Sequence, residues 1–372
     1  MPTPEERIKE IEEEMAKTQY NKATQGHFAT LKARLSKLRS EIIEIAIRKG
    51  AKKGSGFAIK KHGDATAILL GFPSVGKSTL LSAVTNKESR IGAYDFTTVD
   101  AIPGMLNYDG KYIGTKIQII DLPGIIEDAA RGKGRGKQIF SAARNADLIL
   151  IMLSALQIND LDVILDELYK ANLRVNKKPR RVIIKEKNRG GIIVTGHTIG
   201  LEYTAEDIQN VLREYRIISA EVFINEPNVS LDEIIDTVAK NRIYMPSLII
   251  LNKVDLLERK ELEKIKGKIG FFVPISAEKG WNLEQLKEEI VEKIELMRIY
   301  LRRPGQKADY EEPLIIKRGS TIQEVAERIH RRFLNDFRHA SIWGPSAKFP
   351  GQKVGLQHVL EDSDVVKIVL KK

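Results

Sequence analysis

One segment of the chain has the residue types and the spacing of a phosphate-binding loop. Residues 71–78 read Gly-Phe-Pro-Ser-Val-Gly-Lys-Ser and fit the pattern Gly-x-x-x-x-Gly-Lys-Ser/Thr. In such a loop the backbone N–H groups cradle phosphates, the lysine reaches the β- and γ-phosphates, and the last hydroxyl ligates Mg²⁺. An apolar stretch, 66–70, precedes the loop and a helical pattern, 79–84, follows it, which predicts an anion site at a helix N-terminus. The expected nucleotide contacts are Gly71, Pro73, Ser74, Val75, Gly76, Lys77, Ser78 and Thr79.

A second segment supplies a carboxylate and a glycine after another apolar stretch. Asp121 follows residues 116–120, so we expect it at the carboxyl end of a strand, which is the ligand-binding edge of an open α/β sheet. A carboxylate in this position holds Mg²⁺ through a water molecule in P-loop NTPases. Gly124 lets the backbone approach the γ-phosphate closely, because it has no side chain. The segment therefore predicts a Mg²⁺–triphosphate site.

Two further segments predict recognition of a guanine base. Residues 252–255 (Asn-Lys-Val-Asp) end an apolar stretch, and the two carboxylate oxygens of Asp255 suit a base edge with two adjacent donors. Guanine presents such an edge through N1–H and its 2-amino group, whereas adenine does not. Residues 276–278 (Ser-Ala-Glu) follow another predicted strand, where a backbone N–H near Ala277 can donate to guanine O6. The expected base-site residues are Asn252, Lys253, Asp255, Ser276, Ala277 and Glu278.

Taken together, the four motifs resemble those of the Obg branch of the translation-factor-type GTPases. The match is closest to the developmentally regulated GTP-binding proteins, and it extends to residues 18–24 and to the C-terminal segment from about 313. The resemblance implies hydrolysis of GTP, with Lys77, Thr98 and Gly124 as catalytic residues. Ser78, Thr98 and Asp121 are then the expected Mg²⁺ ligands. Thr97 is the alternative to Thr98, since the two are adjacent.

The residue after Gly124 predicts slow intrinsic hydrolysis. Many GTPases have a glutamine there that orients the attacking water, and this chain has Ile125. An isoleucine neither orients water nor accepts a proton, so we expect an activating group from a partner or from elsewhere in the chain. Some related GTPases use K⁺ held by an asparagine of the phosphate loop. The corresponding residue is Ser74, which leaves K⁺ dependence open. The glycine-rich segment 130–137 is the expected second switch.

The spacing of the predicted strands indicates an interrupted core. The strand at 148–153 is followed by the next core strand only at 247, far beyond an ordinary crossover. The expected fold class is α/β: a P-loop GTPase core with an N-terminal helical hairpin, an α+β insertion and a C-terminal ubiquitin-like β-grasp (TGS) domain, the last two by family resemblance. The expected boundaries are hairpin and linker 1–64, core 65–172, insertion 173–246, core 247–300, linker 301–312 and TGS domain 313–372.

Composition favours a polyanionic partner. The chain of 372 residues has no cysteine and a formal net charge of +11, so RNA or the ribosome is the expected partner. A basic run at 170–189 is the best candidate for RNA contact, with the basic residues of the N-terminal hairpin and the TGS-like module as others. The alternative for the run and the hairpin is a solvated surface. Abundant Lys, Glu and Ile also fit a thermophile.

Two functional classes follow from these patterns. The first is a regulatory GTPase acting on the ribosome or a translation-associated RNA–protein complex. The second is a signalling or trafficking GTPase whose accessory domains bind only proteins. We expect a cytoplasmic monomer, with a possible stabilising or activating protein partner. No apolar run approaches the roughly 20 residues of a membrane helix.

Overall fold

A computed structural model describes residues 3–53, 62–85, 102–122, 136–303, 305–306, 308–330 and 332–371. Thr97, Thr98, Gly124, Ile125 and the segment 130–135 lie outside the described residues. In chain order, the described helices are α1 (Pro4–Lys17), α2 (Gln25–Lys53), α3 (Lys77–Val84), α4 (Gly136–Ala143), α5 (Asp160–Lys170), α6 (Ala205–Glu214), α7 (Leu231–Ala239), α8 (Arg259–Ile269), α9 (Leu283–Ile294), α10 (Ile322–Ile329) and α11 (Arg332–Asn335).

The described strands form four sheets. They are β1 (Ala65–Leu70), β2 (Ile102–Tyr108), β3 (Thr115–Asp121), β4 (Leu148–Ser154), β5 (Leu173–Val175), β6 (Val182–Glu186), β7 (Ile192–Gly196), β8 (Ala220–Ile224), β9 (Ile243–Met245), β10 (Ser247–Asn252), β11 (Val273–Pro274), β12 (Leu296–Leu301), β13 (Leu314–Lys317), β14 (Phe337–Trp343), β15 (Gln352–Val354) and β16 (Asp364–Leu370).

The central domain is built on a six-stranded sheet in the order β11-β10-β4-β1-β3-β2. The strands are parallel except for β2, which runs antiparallel to β3. Every residue of β1 and of β4 is buried, as expected for parallel strands covered on both faces. α3 and α9 pack on one face, and α4, α5 and α8 pack on the other. The carboxyl ends of β1, β3, β10 and β11 therefore meet at one edge, which confirms the predicted α/β fold.

The insertion lies between α5 and β10. A two-stranded parallel pair, β5 and β9, joins its entry to its exit. A three-stranded sheet in the order β6-β8-β7 follows the entry strand, and α6 and α7 pack against it. Strands and helices thus occur where the sequence predicts an α+β insert.

The N-terminal hairpin shares its core with the insertion. α1 and α2 form the predicted antiparallel pair, with an Arg39–Glu12 ion pair of 2.7 Å between them. Ala29 and Ala33 of α2 are fully buried and belong to the apolar cluster of the insert. Small residues at this spacing let the helix approach α6 closely. The hairpin is therefore a structural element of the insert rather than a separate arm.

The C-terminal module is a five-stranded sheet in the order β13-β12-β16-β14-β15, with α10 packed on one face. Its first strand is β12, which pairs with β13 and, in parallel, with β16. The sequence assigned residues up to 300 to the core and 301–312 to a linker, so the structure places the start of this module earlier than expected. The backbone N–H of Thr321 donates to the Glu324 carboxylate, which caps the start of α10.

Ion pairs and apolar packing join this module to the central domain. Lys317 Nζ lies 2.6 Å from Oδ1 of Asp147, and Arg328 pairs with Asp64. Ile315 packs into the core cluster of the central domain. The module thus covers the amino-terminal edge of the central sheet and leaves the carboxyl edge to the ligand.

Candidate nucleotide-binding site

The phosphate loop joins β1 to α3, and both of its pattern glycines are required by close contacts. A Cβ at Gly76 would lie 2.4 Å from Nδ2 of Asn252, and Gly76 has a φ of +100°. A Cβ at Gly71 would lie 2.5 Å from the carbonyl oxygen of Met152. Either side chain would push apart strand ends that form the site. The predicted loop is thus built into the sheet edge.

The remaining residues of the loop divide into buried and accessible ones. Val75 is buried, which anchors the loop to the core. Pro73, Ser74, Ser78 and Thr79 are exposed. The two hydroxyl residues at 78 and 79 lie in the first turn of α3, where backbone N–H groups and the helix dipole favour anions. This distribution suits a loop that wraps around phosphates.

Lys77 is folded back onto its own loop. Its Nζ donates to the carbonyl oxygens of Gly71, at 2.9 Å, and Phe72, at 3.1 Å. Burial lowers the pKa of the Lys77 ammonium, and the charge of Asp121 partly opposes that shift. An incoming triphosphate can replace these two carbonyl acceptors with charged oxygens, which are stronger partners.

Asp121 ends β3 with an unsatisfied oxygen. The residue is 2% exposed, and its Oδ1 has no hydrogen-bond partner among the residues that the structure describes. Burial raises the pKa of the carboxyl, and Lys77 opposes that rise. A buried carboxylate oxygen without a partner is costly, and a hard cation such as Mg²⁺ would satisfy it.

The residues present fit a magnesium site that the nucleotide completes. No group of three or more His, Cys, Asp or Glu side chains that could hold a metal ion occurs among the described residues. This suits Mg²⁺, which is usually held by one or two carboxylates together with substrate phosphates and water. Asp121 and the exposed hydroxyl of Ser78 are the described candidates. Thr98, the third predicted ligand, lies outside the described residues.

The base loop is tied to the phosphate loop by two hydrogen bonds. Asn252 Nδ2 donates to the carbonyl oxygen of Val75 at 2.8 Å, and Lys253 Nζ donates to that of Ser74 at 2.8 Å. Lys253 itself has a φ of +64°, a left-handed conformation that is uncommon for a lysine. Sites for base and phosphate are therefore held at a defined separation.

The backbone N–H of Ala277 already has an acceptor. It donates to Oδ1 of Asn252 at 2.9 Å, whereas the sequence suggested that it donates to guanine O6. Both ends of the Asn252 amide are thus used to join three strand ends. A guanine O6 would have to share the Ala277 N–H with this amide. Glu278 is exposed at the rim.

Asp255 is partnered on the protein side. The Ser276 hydroxyl hydrogen-bonds to its carboxylate, and Lys279 Nζ lies 3.1 Å from Oδ2. These contacts lower the pKa of Asp255, with the Ser276 hydrogen bond as the largest cause. Lys279 also lies 5.0 Å from the ring centroid of Trp281. Sequence reasoning missed Lys279 and Trp281, although Lys279 directly follows the predicted motif.

The structure contradicts part of the predicted RNA-contact surface. Arg174, in the basic run at 170–189, is buried and forms a two-bond ion pair with Asp236, at 2.5 and 2.6 Å. Several other cations of this run also face carboxylates: Lys170 pairs with Asp166 and Glu167, Arg180 with Glu226 and Glu233, Arg181 with Glu226, and Lys187 with Glu221. Much of the run therefore neutralises acids of the same protein.

The hairpin cations show the same pattern. Lys32 pairs with Asp232, and Arg34 pairs with Glu214. Lys37 donates to the carbonyl oxygen of Glu214. These contacts bind α2 to the insert, so their charges are only partly available to an external polyanion.

Fold and site together define a GTP-binding protein of the P-loop GTPase class. Residues 66–187 match the family described as 50S ribosome-binding GTPase, and residues 189–296 match the C-terminal region of the same domain. Residues 297–370 match the TGS domain, in agreement with the early start of the C-terminal module at β12. Within the described part of the chain, no helix is long and apolar enough to cross a membrane.

Full-length relatives carry related names. The chain is 49% identical to an uncharacterized GTP-binding protein of Methanocaldococcus jannaschii, over 99% of this chain and 93% of the relative. It is 43% identical to developmentally-regulated GTP-binding protein 1 of Xenopus laevis, over 98% of each chain. It is 41% identical to developmentally-regulated GTP-binding protein 2 of Homo sapiens, over 98% of this chain and 99% of that one. The chain belongs to the family of developmentally regulated GTP-binding proteins.

Proposed function

We propose that this protein hydrolyses GTP to GDP and phosphate with Mg²⁺, as a regulatory GTPase that associates with ribosomes or RNA. The observation that carries the hydrolytic part is the presence at the phosphate loop of two buried, oppositely charged side chains. They are Lys77 and Asp121, and Oδ1 of Asp121 has no hydrogen-bond partner among the described residues. A metal-bound triphosphate would use both charges, the ammonium for phosphate oxygens and the carboxylate for the ion.

Several groups of the chain would act on the phosphates. Lys77 would neutralise charge that develops on the transferred phosphoryl group. N–H groups of the loop and of the first turn of α3 would hold the phosphate oxygens. Asp121 and Ser78 would hold Mg²⁺, with Thr98 completing the site. The bound ion would neutralise the charge of the β- and γ-phosphate oxygens.

Slow turnover without an activator is part of the proposal. Ile125 replaces the water-orienting glutamine of many GTPases, so the attacking water lacks a side-chain partner at that position. A protein partner, RNA or K⁺ near Ser74 would supply what is missing. Phosphate release measured in K⁺ and in Na⁺ buffers, with and without ribosomes, tests these possibilities directly.

Three features support a ribosome or RNA partner. The family matched by residues 66–187 is described as ribosome-binding, the chain has a net charge of +11, and a TGS domain follows the core. The competing function, a GTPase that binds only proteins, is favoured by the internal pairing of basic residues such as Arg174 and Arg180. Cosedimentation with ribosomes at increasing salt separates the two, because phosphate contacts are lost as salt rises. Absence of cosedimentation at low salt would favour the protein-only function.

A further inference from the structure

A cavity of about 190 Å³ lies where the N-terminal hairpin, the central domain and the insertion meet. Helix α2 supplies one wall, α7 supplies another, and the segment from the end of α5 to β5 supplies a third. That volume is more than ten times the ~10–15 Å³ that one water molecule needs. None of its described lining residues belongs to the phosphate loop or the base loop. The charged side chains of the lining are Lys32, Arg39, Arg174, Asp232, Asp236 and Arg242.

The three most buried of these charged side chains form the floor of the cavity and have a surplus of positive charge. Arg174 donates to both carboxylate oxygens of Asp236, at 2.5 and 2.6 Å, and Arg242 donates to Oδ1 at 2.7 Å. Each of the three side chains is at most 4% exposed. Because a guanidinium keeps its charge at any ordinary pH, two cations share one carboxylate here. A buried charge without a counterion is costly, so an anion in the cavity would stabilise the floor.

Hydrogen-bond donors at the rim of the cavity are available to such an anion. A guanidinium has five N–H groups, and a lysine ammonium has three. Among the described residues, Arg39 donates one hydrogen bond, to Glu12, and Lys32 donates one, to Asp232. Each of these two ion pairs joins one cation to one carboxylate, so the surplus charge remains at the floor. The lining therefore combines free donors at its rim with a net positive charge beneath them.

We propose that this space, the hairpin–insert cavity, binds a phosphate group, either as inorganic phosphate or as part of a small phosphomonoester. Planar guanidinium groups match the oxygens of phosphate. The cavity is smaller than the pockets of about 300–1,000 Å³ that hold drug-sized ligands, which favours an ion or a molecule of a few carbon atoms. Arg174 lies on β5, at the entry of the insertion, and Arg242 precedes β9, at its exit. The bound group would thus join α2 to both ends of the insertion.

Calorimetric titration of the full chain with inorganic phosphate tests the proposal, with ionic strength held constant by NaCl and Mg²⁺–GDP in excess. The wild type should bind phosphate, and its melting temperature should rise with phosphate concentration. Arg39→Gln should weaken binding roughly 10- to 150-fold, the range for a lost hydrogen bond to a charged group. Lys32→Gln should weaken it as well. Arg34→Gln is the matched control, because it removes an arginine of α2 that pairs with Glu214 and does not line the cavity; it should leave phosphate binding unchanged.

The phosphate loop is the competing site, so each titration is repeated with Lys77→Ala as the background. If Lys77→Ala abolishes phosphate binding while Arg39→Gln and Lys32→Gln retain it, the ion binds at the loop and the proposal is wrong. A wild type that does not respond to phosphate, or responds equally to NaCl alone, would also overturn it. Equal losses in Arg34→Gln and Arg39→Gln would show that net charge alone attracts the ion.

Glycerol 3-phosphate distinguishes the two sources of the phosphate group. Its carbon atoms would contact the apolar part of the lining, which includes Met15, Leu35 and Ile235. Tighter binding than that of inorganic phosphate, with the same dependence on Arg39, would assign the cavity to a phosphorylated small molecule. Weaker binding with that dependence would assign it to the free ion. Binding of both compounds without dependence on Arg39 or Lys32 would contradict the proposal. The proposed hydrolysis of GTP and the association with RNA do not depend on this outcome.

Discussion

Lys279 Nζ lies 3.1 Å from Oδ2 of Asp255, the residue that the sequence predicts to recognise the guanine base. In that predicted role Asp255 would use both carboxylate oxygens, one for guanine N1–H and one for the 2-amino group. Lys279 therefore occupies one of these oxygens in the nucleotide-free protein, and an incoming base would have to displace it. Trp281 offers the lysine an alternative contact.

Lys279→Met should raise the affinity for GTP and GDP about 1.5- to 5-fold, because the ion pair with Asp255 no longer has to be broken. Titration with a fluorescent guanine nucleotide measures this. Lys287→Met removes a lysine paired with Glu284 on α9 and is the matched control. Weaker binding by Lys279→Met would show instead that this lysine holds the nucleotide.

Asp255→Asn should change the nucleotide preference of the protein from guanine to xanthine. The amide can donate to the 2-oxygen of xanthine, whereas the charge-assisted contact with guanine is lost at ~1.5–3 kcal/mol. GTP affinity should fall roughly 10- to 150-fold while xanthosine triphosphate affinity rises. Comparing the two nucleotides on one variant controls for misfolding. Unchanged GTP affinity would remove Asp255 from the base site.

Asp121→Asn should stabilise the nucleotide-free protein and abolish its response to Mg²⁺. Burial raises the pKa of this carboxyl, so the folded state binds the proton more tightly than the unfolded state does. Its contribution to stability is complete below the ordinary pKa and is lost as pH rises through the raised value. At neutral pH the asparagine variant should therefore unfold at a higher temperature than the wild type.

Thermal unfolding of wild type and Asp121→Asn, with and without Mg²⁺–GTP, measures both effects. Glu263→Gln on the exposed side of α8 is the control for simple charge removal. A destabilised variant without ligand would mean that Asp121 is needed for the fold itself. Mg²⁺ affinity of the wild type should also weaken as pH falls through the raised pKa of Asp121, since protonation removes the ligand.

Lys77→Ala should abolish hydrolysis and weaken GTP more than GDP, because Lys77 is expected to contact the γ-phosphate as well as the β-phosphate. Single-turnover phosphate release and separate titrations with the two nucleotides measure this. Ile125→Ala is the companion variant and should change the intrinsic rate by no more than about threefold, since Ile125 orients no water. A collapse of turnover in Ile125→Ala, with the fold intact by circular dichroism, would assign Ile125 a role in building the site.

The basic residues at the insert entry should fall into two groups, one that contacts RNA and one that stabilises the fold. Lys177 and Lys178 are exposed, whereas Arg180 and Arg181 pair with Glu226. Lys177→Glu with Lys178→Glu should weaken ribosome association and flatten the salt slope by roughly 0.7–0.9 for each lost phosphate contact. Arg180→Glu with Arg181→Glu should instead lower the melting temperature, because like charges then face each other. Equal effects of the two pairs on ribosome association would contradict this division.

The amino-acid sequence alone determined the local chemistry of the nucleotide site. The phosphate loop, Asp121 and the Asn252–Asp255 loop are short segments whose glycines, carboxylates and preceding apolar stretches predict strand ends. Parallel strands bring such ends to one edge of a sheet, so the meeting of these residues could be expected without coordinates. Thr98 and Gly124 remain predictions from sequence.

Tertiary structure alone decided what depends on residues far apart in the chain. β12 belongs to the TGS sheet because it pairs in parallel with β16. The two strands are more than 60 residues apart in the chain, so the local periodicity of β12 does not indicate this partner. From the sequence alone, Arg174 is one cation of a basic run that could contact RNA. In the folded protein it forms an ion pair with Asp236. The Lys279–Asp255 pair is likewise a product of packing. The sequence shows which side chains are charged. Only the folded structure shows which of those charges are already neutralised by a neighbouring side chain.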